Sequence, residues 1–243
     1  MAEALALADV VAGYGQSTIL NGLSFAAEAG RITTLIGANG AGKSTVLKTV
    51  FGLLRPRQGS IRMHGEPIGG LEPRALLARG LVFVPQGRNL FPTLTVRHNL
   101  ELGGTTLGDR ALLRRRMDAV LERFPRLRER AEGQASALSG GEQKMLEIGR
   151  ALLLEPKVLL IDEPSIGLAP KVVAEVYALL RGLAESGVSI LMVEQNVRAA
   201  LGMSDAAVAL EQGRVGLMGP AAQVLADTRI KALFLGGGLA AAG

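Results

Sequence analysis

The chain of 243 residues contains no cysteine, which excludes a disulfide framework and any thiolate metal site and suits a reducing compartment. Aromatic side chains are scarce, with two Tyr, six Phe and no Trp. So small a supply argues against a dedicated single-strand nucleic-acid binder, which stacks bases on aromatic rings. Long apolar runs are missing as well. The longest uncharged stretch, Val10 to Ala27, is interrupted by Gly, Gln, Ser and Asn and does not read as a membrane span. The opening "MAEALALADV" has no basic region ahead of an apolar core, so a secretory signal is not expected.

The length suffices for one substantial α/β domain with a small inserted subdomain. Net charge is +5, from 27 Lys+Arg against 22 Asp+Glu. The basic residues cluster in "RALLRRRMDAVLERFPRLRER", Arg110 to Arg130, but Asp and Glu are interleaved. That pattern reads as the solvated face of one or two helices, and no nucleic-acid partner is expected.

Strand-like alternation in "LALADVVAGYG" and the β-branched run "RITTLIG" precede a glycine-rich segment. "KSTVLKTVFGLL" then reads as a helix and "GSIRMHGEPI" as a hairpin. From Arg97 to Leu154 the chain is mostly helical, broken at Gly103-Gly104, at Pro125 and at "GQASALSGG". After the strand "VLLID", a helix begins near Pro170 with Val172, Val173, Val176, Leu179, Leu180 and Leu183 on one face. "GVSILMV" is a second buried strand, and "AAVALEQGRVGLMG" turns at Gln212-Gly213. The tail "GGGLAAAG", 236–243, is low-complexity and expected to be mobile.

"GANGAGKS", Gly37 to Ser44, fits G-x-x-x-x-G-K-[ST] and lies where its mechanism requires, after a strand and opening a helix. Gly40 and Gly42 let successive N–H groups turn inward on phosphate oxygens, and the helix adds its positive end. Gly37, Asn39, Gly40, Ala41, Gly42, Lys43, Ser44 and Thr45 are the expected nucleotide contacts. Lys43 reaches the β- and γ-phosphates, and the Ser44 hydroxyl suits Mg²⁺.

Asp162 and Glu163 follow the strand "VLLID", at the end where open parallel sheets bind ligands. Asp162 is placed to hold Mg²⁺ through water. Glu163 is expected to point elsewhere by strand alternation and to polarise the water attacking the γ-phosphate. In "LSGGEQ", Ser139 and Glu142 form the S-x-x-E pattern of a capping box. Gly140 and Gly141 at that helix start make a second anion site. By itself the feature is only a well-capped helix; beside a phosphate loop it suggests two chains sharing two nucleotides.

In order, "GANGAGKST", "LSGGEQ" and "LLIDEP" resemble the phosphate loop, signature and acid-pair motifs of ABC transporter ATP-binding subunits, and the likeness covers nearly the whole chain. It implies an α/β P-loop NTPase of ABC ATPase type, with a mixed central sheet, an antiparallel β subdomain and a helical subdomain. It places a single ABC domain at 1–235, its nucleotide-binding core at about 1–90 and 156–235 and its helical subdomain at about 91–155. It implies ATP and Mg²⁺ as cofactors. Gln86 in "FVPQGR" takes the Q-loop position, a metal and γ-phosphate contact, and Tyr14 the place of the aromatic that stacks on adenine. Implied partners are a second ATPase, membrane permease subunits and, indirectly, a substrate-binding protein. The chain would then sit at the cytoplasmic face of the inner membrane, peripheral and soluble when isolated.

A narrower likeness rests on "VPQGRNLFPTLTV", "FPRLRERA", "LSGGEQKMLEIGRAL", "EPSIGLAP", "LMVEQN" and the closing "LGG". Together these resemble one of the two ATPases of branched-chain amino acid importers, with urea and short-chain amide import ATPases close in pattern. The chain departs from the general ABC pattern twice. Gln195 stands where most members have a histidine touching the γ-phosphate, and Gly167 where an Asp usually reaches across the dimer. By position neither His64 nor His98 substitutes. A glutamine amide donates but does not titrate; the two composite sites would be unequal if the partner ATPase carries the usual histidine, and the subfamily likeness implies a non-identical partner. A soluble ABC ATPase, a non-hydrolytic regulator and a DNA-binding protein are the rival readings. The absence of coiled-coil or zinc insertions opposes the first, and Lys43, Ser44 and Glu163 oppose the second.

Overall fold

The computed structural model describes residues 2–87 and 89–230; the tail at 236–243 lies outside them. Along the chain, β1 (Glu3–Tyr14), β2 (Ser17–Glu28) and β3 (Ile32–Gly37) lead into α1 (Lys43–Val50). β4 (Gln58–Met63), β5 (Glu66–Pro67), α2 (Pro73–Ala78) and β6 (Leu81–Val84) follow. Four helices come next: α3 (Val96–Gly103), α4 (Arg110–Arg123), α5 (Pro125–Glu129) and α6 (Gly140–Leu152). The chain continues through β7 (Val158–Asp162), α7 (Pro170–Glu185), β8 (Ser189–Val193) and α8 (Val197–Met203). It closes with β9 (Ala206–Glu211), β10 (Arg214–Pro220) and α9 (Ala221–Ala226).

The strands form two sheets. One is antiparallel in the order β2-β1-β4-β5, and the other runs β10-β9-β3-β8-β7-β6. In the second, β9, β3, β8, β7 and β6 are parallel neighbours, and β10 adds an antiparallel edge. The mixed sheet, the antiparallel sheet and the helical layer are those the sequence implied.

Strands β3, β7 and β8 are buried along their whole length. Their near-continuous apolar sequences follow from having both faces covered, as parallel strands do. Alternation decides which cover each side chain meets. Val158 and Leu160 of β7 join a cluster with Val46, Leu47 and Val50 of α1 and with the antiparallel sheet. Leu159 and Ile161 face Val176, Leu180 and Leu183 of α7 and Ile148 of α6. A third cluster, including Leu100, Val120, Leu127 and Leu146, ties α3, α4, α5 and α6 into the helical layer.

Helix α1 stops at Val50, short of the helix through Leu54 that the sequence suggests. The amides of Phe51, Leu53 and Leu54 turn back onto the carbonyls of Leu47 and Lys48. These bonds, with that of the Gly52 amide to the Thr49 carbonyl, satisfy carbonyls of the last turn and close the helix. The hairpin between β9 and β10 turns at Gln212 and Gly213, both at positive φ, the conformation a two-residue connection demands.

Candidate functional site

The site assembles at the C-terminal ends of β3, β7 and β8, the edge where parallel sheets take ligands. From β3 the chain passes through Gly37 to Ser44 into α1. Gly40 and Gly42 adopt φ of 82° and 101°, the left-handed region that a side chain would resist. Gly42 is the N-cap of α1; no side chain caps this helix, and its first turn carries no acid. Its positive end is therefore left for an external anion.

The Lys43 ammonium folds back over the loop and donates to the carbonyls of Gly37 at 2.9 Å and Ala38 at 3.0 Å. Burial holds its pKa below the usual lysine value, while the charges of Glu163 and Asp162 pull the other way. A cation bonded only to neutral carbonyls, in a field of two carboxylates, is set to exchange those carbonyls for phosphate oxygens.

The Ser44 hydroxyl donates to Asp162 Oδ1 at 3.2 Å. Asp162 is 2% exposed, and burial raises its pKa; the Ser44 hydrogen bond opposes that rise, the Glu163 charge adds to it, and Lys48 and Lys43 oppose it. A hydroxyl and a carboxylate converging in a half-dry site form the hard oxygen donor set that Mg²⁺ selects, so these residues fit the ion.

Glu163 differs from expectation in how it is aimed. It has left the strand: its φ is 48°, and its N–H donates to the Val193 carbonyl at 3.0 Å. A left-handed residue just past the strand, not strand alternation, swings its carboxylate away from Asp162. There Gln86 Nε2 donates to Oε2 at 2.7 Å and Gln195 Nε2 to Oε1 at 2.6 Å. Each glutamine donates through nitrogen and keeps its carbonyl oxygen as an acceptor. Glu163 and Gln195 also border a cavity of about 370 Å³ on the side of α7, shared with Ser165, Leu168, Val173 and Ala199.

Tyr14 stands at the end of β1, 44% exposed, with Lys48 Nζ 5.8 Å from its ring centre. Thr45 and Ala41 are buried beneath the loop, whereas Asn39 is exposed on it. The structure thus brings Gly37 to Thr45, Gln86, Asp162, Glu163 and Gln195 to one place.

Ser139 to Glu142 lie apart, at the start of α6, whose neighbours are α3, α5, α7 and β6. The capping box is formed: Ser139 Oγ accepts from the Glu142 N–H, and the Glu142 carboxylate accepts from the Ser139 N–H at 2.8 Å. Glycine at 141 also has a packing reason, since a Cβ there would come within 2.5 Å of Val172 Cγ1 on α7.

Two sets of contacts escaped sequence reasoning. Asn89, in the loop after Gln86, has its N–H bound by Glu147 Oε1 at 2.9 Å and its carbonyl by Arg150 Nη1 at 2.5 Å. Both partners come from α6, and their place within the apolar pattern of that helix was the only signal. Glu194, beside Gln195, is buried against Ser165.

A phosphate loop opening an uncapped helix, a hydroxyl–carboxylate pair and a second carboxylate held by amides define an ATP-hydrolysing P-loop protein. Residues 20–166 match the ABC transporter family. The chain belongs to that family and is of its ATP-binding, ATP-hydrolysing kind. It is 44% identical over 224 residues to the high-affinity branched-chain amino acid transport ATP-binding protein BraG of Pseudomonas aeruginosa, covering 92% of this chain and 96% of that protein. It is 37% identical to the probable branched-chain amino acid transport ATP-binding protein LivF of Archaeoglobus fulgidus, covering 93% and 95%. A Nod factor export ATP-binding protein I of Ralstonia nicotianae is 38% identical, over 83% of this chain and 62% of that one. Among solved structures, the ADP conformation of MJ1267, an ATP-binding cassette of an ABC transporter, superposes with a TM-score of 0.88 at 27% identity, covering 97% and 100%.

Proposed function

We propose that this chain is the ATP-hydrolysing subunit of an importer of branched-chain, hydrophobic amino acids. The observation that carries the substrate class is the 44% identity to BraG over 96% of that protein's length. The match runs through segments with no part in hydrolysis, whereas the Nod factor export protein is matched over 62% of its length.

At the site, Gly37, Asn39, Gly40, Ala41, Gly42 and Thr45 form the bed for the phosphates, and the end of α1 supplies positive potential. Lys43 releases the Gly37 and Ala38 carbonyls and takes the β- and γ-phosphates. Ser44 and Asp162, with the carbonyl oxygen of Gln86, would hold Mg²⁺. That ion, when bound, neutralises phosphate charge. Glu163 accepts a hydrogen bond from the attacking water and orients it, acting as the base. Gln195 and Gln86 fix the direction of that carboxylate and contact the γ-phosphate, and the exposed ring of Tyr14 stacks on adenine.

Residues 1–90 and 156–235 act as the nucleotide-holding core, and 91–155 as the helical subdomain. Since the start of α6 lies away from its own phosphate loop, Ser139, Gly140, Gly141 and Glu142 serve the nucleotide of a second ATPase chain. With glutamine at 195, a non-identical partner makes two unequal sites.

Among the described residues no helix is long and apolar enough to cross a membrane. In this reading, transport proceeds through permease subunits. Their contact falls at Gln86 to Phe91, where Phe91 is exposed and Phe51, Phe83, Pro85, Asn89 and Arg150 line a cavity of about 310 Å³. The chain then works at the cytoplasmic face of the membrane, with a substrate-binding protein feeding the permeases.

The test is phosphate release by the assembled transporter in vesicles. Binding protein loaded with leucine, isoleucine or valine should stimulate it. Stimulation by urea or a short-chain amide instead would overturn the substrate class.

A further inference from the structure

Glu194 is a carboxylate that the hydrolytic site does not use. It follows β8 and precedes Gln195, and it is 1% exposed. Among the described residues no Lys, Arg or His forms an ion pair with it. Burial of an ionised carboxylate without a cation is costly unless its oxygens are filled by donors. Three donors fill them: the Ser165 N–H at 3.0 Å on Oε1, and the Ser165 hydroxyl at 2.8 Å and the Gln195 N–H at 3.1 Å on Oε2. Tyr177 of α7 lies near enough that the Glu194 charge adds to burial in pushing the phenol's pKa up.

These donors belong to two separate segments. Ser165 stands two residues past Glu163, in the turn before α7, and Gln195 follows β8. One buried side chain therefore fastens the backbone after the acid pair to the backbone that carries the Gln195 amide. We propose that Glu194 is a positioning residue for ATP hydrolysis. Its carboxylate fixes Gln195 and Ser165 relative to each other, and so holds Gln195 Nε2 on the Glu163 carboxylate. The inference rests on the ATPase reading and extends it to a residue that touches no reacting group.

An amide cannot replace this carboxylate. The Ser165 hydroxyl can reverse and accept, but the Ser165 and Gln195 N–H groups can only donate. Whichever way a glutamine at 194 turned, its NH₂ would face one of those two N–H groups. Glu194→Gln thus keeps the size of the side chain and breaks one fastening.

A double-mutant cycle on ATP turnover by the assembled transporter isolates the effect, with Glu194→Gln and Gln195→Ala made singly and together. Glu194→Gln should lower kcat by roughly ten- to a hundredfold, the scale of a misplaced catalytic group, with KM for ATP unchanged. In the Gln195→Ala background it should cause no further loss. Losses that multiply, or an unchanged kcat in Glu194→Gln, would overturn the proposal. If Glu194→Gln does not assemble, Ser165→Ala removes one donor from the same carboxylate and enters the same cycle. It should give a smaller fall in kcat that also vanishes in the Gln195→Ala background, and a loss that persists there counts against the proposal. A crystal structure of Glu194→Gln with Gln195 Nε2 still on Glu163 overturns this inference alone. A wild-type transporter without ATP turnover overturns the ATPase reading beneath it.

Discussion

Gln195 Nε2 donates to Glu163 Oε1 at 2.6 Å, while Gln86 occupies the carboxylate's other oxygen at 2.7 Å. Both glutamines stay neutral at every pH relevant to an enzyme, so the geometry of Glu163 is fixed without a titrating neighbour among its hydrogen-bond donors. This bears on how the rate responds to pH and to substitution at 195.

Gln195→His places a titratable ring beside the Glu163 carboxylate. The negative charge favours the protonated ring and shifts its titration upward from the ordinary histidine value. Between pH 6 and 8.5 the variant's kcat should gain a pH step that wild type lacks. Superimposable profiles would remove the case for unequal sites based on this position.

Asp162 offers a test of stability. Burial places its folded pKa above the unfolded value, so the native state binds the proton more tightly. Its contribution to stability is greatest below the unfolded pKa and is lost as pH rises through the folded one. At pH 7.5 the ionised group costs stability in the nucleotide-free chain. Asp162→Asn should therefore raise Tm there by roughly 2–4 °C, the effect of about 1 kcal/mol in a chain of this size. The gain should shrink towards pH 4, and ATP turnover should be lost. Differential scanning calorimetry at the two pH values measures it.

Ser139→Ala removes the hydroxyl that caps α6, at a cost of about 1 kcal/mol. Glu142 lies below the ordinary carboxylate range because the Ser139 N–H donates to it, with the Ser139 hydroxyl and the charges of Arg130 and Arg126 also favouring the ionised form. Its share of the cap is thus present above the unfolded glutamate pKa and fades as acid protonates the carboxylate. In the assembled pair the variant should hydrolyse ATP more slowly, while ATP binding to the isolated chain stays unchanged. Weakened binding by the isolated chain would place Ser139 at its own nucleotide.

Local spacing made much of this legible. The Gly37 to Ser44 loop, the capping box at Ser139 and Glu142, the turn at Gln212-Gly213 and the buried strands β7 and β8 each depend on residues within one turn or strand. The direction of Glu163 did not follow from local pattern, because a left-handed residue ended the alternation on which the sequence argument relied. Its two partners lie 77 and 32 positions away, so only the sheet order brings them together. Gly141 read as an anion contact and also proves to be the space Val172 needs. The role of Glu194 was hidden for a like reason: a carboxylate at a strand end looks solvated until Ser165 folds over it.

In the proposed mechanism, hydrolysis depends on the Glu163 carboxylate. Single-turnover phosphate release by the assembled transporter, compared between wild type and Glu163→Gln at equal ATP occupancy, tests it most directly. The rate of release should fall roughly 10²–10⁴-fold in the variant, with ATP affinity retained. Release within a few-fold of wild type at full occupancy would contradict it.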